Sequence, residues 1–211
     1  MIYRILICII VLLGIYQLVT HFYRDEEKEL RTQVRTAVKE AFPDHQEEYA
    51  KTIGLFRYKA KPGTGGEPPL KEKAVVLIHG LDDPGKVWQN LRPALIQGGY
   101  DVWQFEYPND QPLAESAEML FQQLQDLKTH QINHISIVAH SMGGLVARHA
   151  ILQNVYVDQQ DYIQLFVTIS TPWGGHRAAA KGVQYAPAVV PSWRDMVPES
   201  DFLSGLYRRP G

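Results

Sequence analysis

Residues 138–144 read VAHSMGG, a serine set among small residues directly after the apolar run of HISIV. A serine hydroxyl is a weak nucleophile at its own pKa and needs both a base and a place for the oxyanion that forms on its target. Ala139, Ser141 and Gly143 fit a small-x-Ser-x-Gly pattern, with Gly144 adding clearance and Ala139 standing where glycine is usual. A sharp strand-to-helix turn presses backbone segments together, so only small side chains fit beside the serine. Such a turn exposes the hydroxyl at the C-terminal edge of a sheet. It also brings the N–H of Met142, at the start of the next helix, to the same spot.

A second donor is expected from AVVLIHGL, 74–81, an apolar run that ends in His79-Gly80-Leu81. If that run is a neighbouring strand, its exit loop lies at the same edge and offers the N–H of Leu81. The expected machinery is therefore Ser141 as nucleophile, with Leu81 and Met142 as a backbone oxyanion hole. His79, Gly80 and His140 flank it as loop-shaping, substrate-facing residues. Trp173, in the stretch TPWGG, is a candidate wall of an acyl pocket, and so is 107–114, YPNDQPLA.

The base is harder to find. Only His149 and His176 follow the serine. His149 lies eight residues along the next helix, about 12 Å at 1.5 Å per residue, and is expected to pack rather than react. His176 follows TPWGG on a loop at the right edge of the sheet and is the remaining candidate. The downstream carboxylates are Asp158 and Asp161 before the fourth strand and Asp195 and Asp201 in the tail.

The elements that must position these residues can be read from pattern. Strands are expected over 74–81, 100–108, 134–141 and 162–170. Helices are expected over VWQNLRPALIQGG, PLAESAEMLFQQLQDLKTHQI and MGGLVARHAILQN. In the second of these, Ala117, Leu120, Phe121, Leu124 and Leu127 share one side. Strands alternating with helices imply βαβ units and a mostly parallel sheet flanked by helices on both faces. The tail, 176–211, shows no strand run, so the sheet is expected to stop early, with a bare apolar edge.

The N-terminus is of another kind. Ile2 to Val19 holds a single charge, Arg4, and no small-x-small cleavage site follows. That favours an uncleaved transmembrane helix over a cleaved signal or a buried core helix, although the length is at the lower edge for a bilayer. Basic residues after it favour a cytoplasmic body, whereas a short N-terminal tail favours the opposite, and a non-cytoplasmic body is the reading taken here. Asp25 to Ala41 has helical spacing, and 59–73 is rich in Pro, Gly and charge. The expected division is a membrane anchor at 1–22, an amphipathic stalk at 23–58, a linker at 59–72 and an α/β domain at 73–211.

Among 211 residues, 45% are hydrophobic and 21% charged, and the formal net charge is −2. That is a chain able to bury a core, with no electrostatic pull toward nucleic acid. Cys8 is the single cysteine, which excludes an intrachain disulfide. The histidines and acids form no ligand spacing, and GTGG at 63–66 lacks the following Lys and Ser or Thr of a phosphate loop. No metal and no cofactor are expected.

Taken together, VVLIHGL, AHSMGGLVAR and ISTPWGGH resemble the α/β-hydrolase fold, within it the lipase and esterase branch, including deacylases of GPI-anchor-like lipids. PSWRDMVPESDFLSGL resembles the segment that follows the TP-x-x-G loop in such lipases, so the resemblance covers roughly 73–206. It implies an α/β-hydrolase fold and hydrolysis of a lipid or other apolar acyl ester. In that family the order is Ser, then Asp or Glu, then His, with the histidine after the last strand. Seen this way, the C-terminal part of the domain is missing, and the acid and base belong beyond residue 211. Two other functions stay open. One is a hydrolase-fold membrane protein without catalysis, with a binding role or none. The other is an acyltransferase using the same serine chemistry.

Overall fold

The computed structural model describes residues 51–58, 69–81, 83, 85–109, 111–130, 132–156, 162–185 and 191–207. The anchor 1–22, the stalk helix 25–41 and linker residues 59–68 lie outside the described residues. Among those described, no helix is long and apolar enough to cross a membrane.

Five strands form one sheet: β1 (Gly54–Arg57), β2 (Lys73–Ile78), β3 (Asp101–Glu106), β4 (His134–His140) and β5 (Ile163–Ile169). Their order is β1-β3-β2-β4-β5, with β1 antiparallel to β3 and every other pairing parallel. The helices are α1 (Leu91–Gln97), α2 (Leu113–Thr129), α3 (Met142–Tyr156), α4 (Arg177–Tyr185), α5 (Pro191–Asp195) and α6 (Asp201–Gly205). A 3-10 turn, Lys86–Trp88, precedes α1.

β2 sits between two parallel neighbours and is buried from Ala74 to Ile78, as a continuous apolar run should be. One face of the sheet carries Ala74, Val76, Ile78, Ile135, Ile137 and Ala139 against α2 and α3. Leu120 and Leu124 of α2 and Leu145 and Val146 of α3 fill that layer. The other face holds a smaller cluster, Val75, Leu77, Trp88 and Val102, closed by Leu91, Leu95 and Ile96 from α1.

Two expectations are corrected here. Gly54–Arg57 falls within the segment assigned to the stalk, 23–58, yet it pairs with β3 and belongs to the sheet. The Arg57 Nε donates to Asp101 Oδ1 at 2.7 Å and so fastens β1 to the start of β3. A four-residue strand with a glycine at one end and an arginine at the other gives too little period for pattern reading. Second, helices lie on both faces as expected, but their cover is uneven. Leu165, Val167 and Ile169 stand on the Val75–Leu77 face and are 53%, 38% and 43% exposed. α1 protects that face over β2 and β3, but among the described residues nothing shields it over β5.

The tail adds no strand among its described residues. Ala179, Met196, Leu203 and Leu206 enter the larger core, and Gly182 lets the Trp193 ring lie against α4. Hydrogen bonds bind the tail to the loops above the sheet. Ser192 Oγ donates to the Asn109 carbonyl at 2.6 Å, and the Leu113 N–H donates to Asp195 Oδ2 at 2.6 Å. The His176 N–H donates to the Met196 carbonyl at 2.8 Å, and the Tyr207 hydroxyl to the Trp173 carbonyl at 3.1 Å.

Candidate active site

The chain leaves β2 toward β3 and leaves β4 toward β5, so connections depart in opposite directions at the carboxyl ends of two adjacent strands. A crevice opens at such a switch point. Residues 79–81 and Ser141 lie on its two sides.

At the end of β4 the backbone turns sharply. Ser141 has φ 52°, a left-handed conformation that non-glycine residues rarely adopt. Its N–H donates to the Ile169 carbonyl at 2.8 Å, and its carbonyl accepts from the Gly144 N–H at 3.0 Å, which starts α3. The turn is tight enough to require glycine. A Cβ on Gly143 would stand 2.2 Å from the His79 carbonyl oxygen, and one on Gly144 would stand 2.0 Å from Thr171 Oγ1. A Cβ on Gly80 would come within 2.8 Å of the Ser141 Cβ. Three loops, after β2, β4 and β5, therefore close around the Ser141–Gly144 turn, and each of these approaches is made possible by a missing side chain. Ala139 is fully buried in the larger core, so a methyl group is accommodated at that position.

Met142 opens α3, where the first N–H groups have no partner within the helix. Leu81 follows the Gly80 contact and packs partly against the core. His79 is buried beneath the loop: its Nδ1 lies 2.7 Å from the Gly80 carbonyl. The Tyr107 ring stacks on it at 4.6 Å, and the Tyr107 hydroxyl donates to the His79 carbonyl at 2.9 Å. Burial, and then the charge of Glu106, hold the Tyr107 phenol well above its ordinary pKa, so it stays a donor. His140 meets the edge of Trp88, with ring centroids 6.4 Å apart.

His176 is placed differently. It is exposed, and its backbone is fixed by Met196 and by the Ala180 N–H, which donates to its carbonyl at 3.2 Å. Among the described residues no histidine ring hydrogen-bonds Ser141 Oγ. His149 packs as expected, stacked on Phe202 at 5.4 Å, and burial lowers its pKa. Asp195 caps the start of α2 through Leu113, and burial is the main cause of its raised pKa. Trp173 meets Phe166 edge-on, at 6.4 Å, on the loop after β5. Among the described residues, no group of three or more His, Cys, Asp or Glu could hold a metal.

Sequence reasoning missed Glu106, Gln104, Arg92 and Thr171. For Gln104 and Glu106 the available signal was WQFEYP, which sets an amide and a carboxylate between aromatic residues at the end of a strand.

Residues 113–198 match a family model described as "Putative serine esterase (DUF676)". No curated protein sequence matches the chain. Similar solved structures include the mature lipase BlEst2 of Bacillus licheniformis, 18% identical with a TM-score of 0.53, covering 72% of this chain and 62% of that one. Aspergillus fumigatus lipase B is 19% identical with a TM-score of 0.54, over 64% of this chain and 33% of that one. Phospholipase PlaB of Legionella pneumophila is 15% identical with a TM-score of 0.51, over 64% and 34%. The chain thus spans about three fifths of the first of these proteins and about a third of the other two. At these identities the likeness fixes the fold, which is that of the α/β-hydrolases.

Proposed function

We propose that this α/β-hydrolase-fold chain is a membrane-anchored serine hydrolase of carboxylic esters. The observation that carries the reading is the approach of Gly80, after β2, to Ser141 at the left-handed turn between β4 and α3. Ser141 Oγ adds to the ester carbonyl carbon as its proton passes to a base. The carbonyl oxygen, now an oxyanion, is held by the N–H groups of Leu81 and Met142. Collapse expels the alcohol, which takes the proton, and water then releases the acid from the acyl-serine. The family match over 113–198 supports ester chemistry.

The apolar N-terminal segment supports anchoring at a membrane, with the soluble body outside the cytoplasm. A lipid or other apolar acyl ester is the substrate class that suits such an anchor, with Trp173 lining the acyl pocket. The base and acid are assigned outside the described residues, and His176 is the alternative base.

A second reading is a hydrolase fold without catalysis, favoured by the lack of any described histidine ring on Ser141 Oγ. One experiment separates the two. The full chain in detergent micelles is treated with a fluorophosphonate and mapped by mass spectrometry. Labelling at Ser141, lost in Ser141→Ala together with short-chain ester hydrolysis, is the expected result. A folded chain that leaves Ser141 unlabelled would establish the second reading instead.

A further inference from the structure

Behind the oxyanion loop lies a chain of polar side chains that ordinary core packing does not need. Arg92 Nη1 donates to Gln104 Oε1 at 2.8 Å. A guanidinium only donates, so the glutamine oxygen must face it, and its NH2 must face the other way. There it donates to Glu106 Oε1. The second carboxylate oxygen, Glu106 Oε2, lies 3.4 Å from His79 Nε2. This is within ion-pair reach but out of line for a hydrogen bond, and Nε2 is buried with no other partner. Gly85, at φ 74°, presses the loop onto Gln104: a Cβ there would stand 1.8 Å from Gln104 Nε2.

The other ring nitrogen does the work at the loop. His79 Nδ1 faces the Gly80 carbonyl at 2.7 Å, and a carbonyl only accepts, so Nδ1 carries a proton. The Gly80 carbonyl and the Leu81 N–H belong to one planar trans peptide and point in opposite directions. Holding the oxygen inward therefore turns the Leu81 N–H outward, toward the crevice. The ring itself is pinned by the Tyr107 stack on one side and by the Tyr107 hydroxyl bond to its own backbone.

We infer that Glu106 is a positioning residue for the oxyanion donor, acting through His79. This rests on the assignment of Leu81 as that donor. With a proton on Nε2 as well, the carboxylate attracts that edge of the ring and fixes its orientation, the ring fixes the Gly80–Leu81 peptide, and the peptide aims the N–H. Glu106 is partly exposed, so substitutions there do not open the core.

The test uses the full chain in detergent micelles and reads the rate of fluorophosphonate labelling at Ser141. Glu106→Leu keeps the volume and removes the carboxylate charge that faces Nε2. Deleting an oxyanion donor costs about 10²–10³ in rate, and a donor left in place but badly aimed should cost roughly tenfold. The melting temperature should not change. Glu106→Gln should recover most of the rate. With Gln104 still holding its oxygen, the new NH2 faces His79 Nε2, which accepts when the proton is on Nδ1. On a His79→Phe background, Glu106→Leu should have no further effect. Wild-type labelling by Glu106→Leu would overturn the inference.

A second measurement keeps this separate from the reading of Ser141. In 15N spectra of the full chain, Glu106→Leu should move the His79 ring nitrogens and the Leu81 amide. If wild type fails to label, the serine reading falls, and these resonances still decide the matter. Shifts at both sites uphold the inference, and unchanged resonances overturn it.

Discussion

The two faces of the sheet were built by the same five strands and ended very differently. On the α2–α3 face, Ile78, Ile135, Ile137 and Ala139 are fully buried, and even the tail contributes Met196, Leu203 and Leu206. On the opposite face, protection among the described residues reaches from Trp88 and α1 only as far as β2 and β3, and Leu165, Val167 and Ile169 are exposed. The burial of β4 records the boundary, since its residues alternate between buried on one face and part-exposed on the other. What differs is supply of cover as well as strand chemistry, because β5 carries Gln164 and Thr168 whereas β2 is apolar after Lys73.

The largest test of this contrast lies on the covered face. Ile137→Ala should cost about 3 kcal/mol in urea unfolding, as truncation of a fully buried side chain does in a packed core. A loss below about 1 kcal/mol, typical of a site that collapses freely, would show that the covered face is loosely packed.

A smaller effect is expected where the tail closes that face. Burial raises the pKa of Asp195, so the folded chain holds its proton more tightly than the unfolded one. The stabilising contribution is complete below the ordinary carboxylate value and is lost as pH rises through the folded value. Asp195→Asn keeps an acceptor for the Leu113 N–H and removes the titration. Urea midpoints of this variant should rise relative to wild type between pH 4 and 7. Parallel midpoints across that range would mean that the carboxylate is effectively solvated.

The smallest effect on stability belongs to the open face. Val167→Lys should change unfolding free energy by less than about 0.5 kcal/mol, as exposed positions do. It should nevertheless reduce binding of a hydrophobic dye and self-association, because a lysine interrupts an exposed apolar strand. A large loss of stability would show that β5 is covered in the native protein.

How much of this was legible beforehand depended on whether the signal was local. The four parallel strands and α2 carry long apolar patterns, and they lie within a few residues of expectation. The turn at Ser141 was legible because close backbone approach demands small residues in fixed places. β1 was not, because its place depends on a distant partner, Asp101, and its own four residues hold little pattern. Helices on both faces were expected and are present, but that α1 reaches only β2 and β3 among the described residues was not legible. Glu106 was illegible for a further reason. Its significance comes from His79 and Gln104, which meet it only after β2 and β3 pair.

The Ser141 amide donates to the carbonyl of Ile169, the last residue of β5. The serine is thereby tethered to a strand that, among the described residues, lies at one edge of the sheet. Edge strands fray sooner than central ones, and each opening at the end of β5 frees the serine backbone from one of its restraints. Exchange of the Ser141 amide proton with solvent is thus a clock for the edge. Any molecule that quiets β5 would be registered at the serine without touching it.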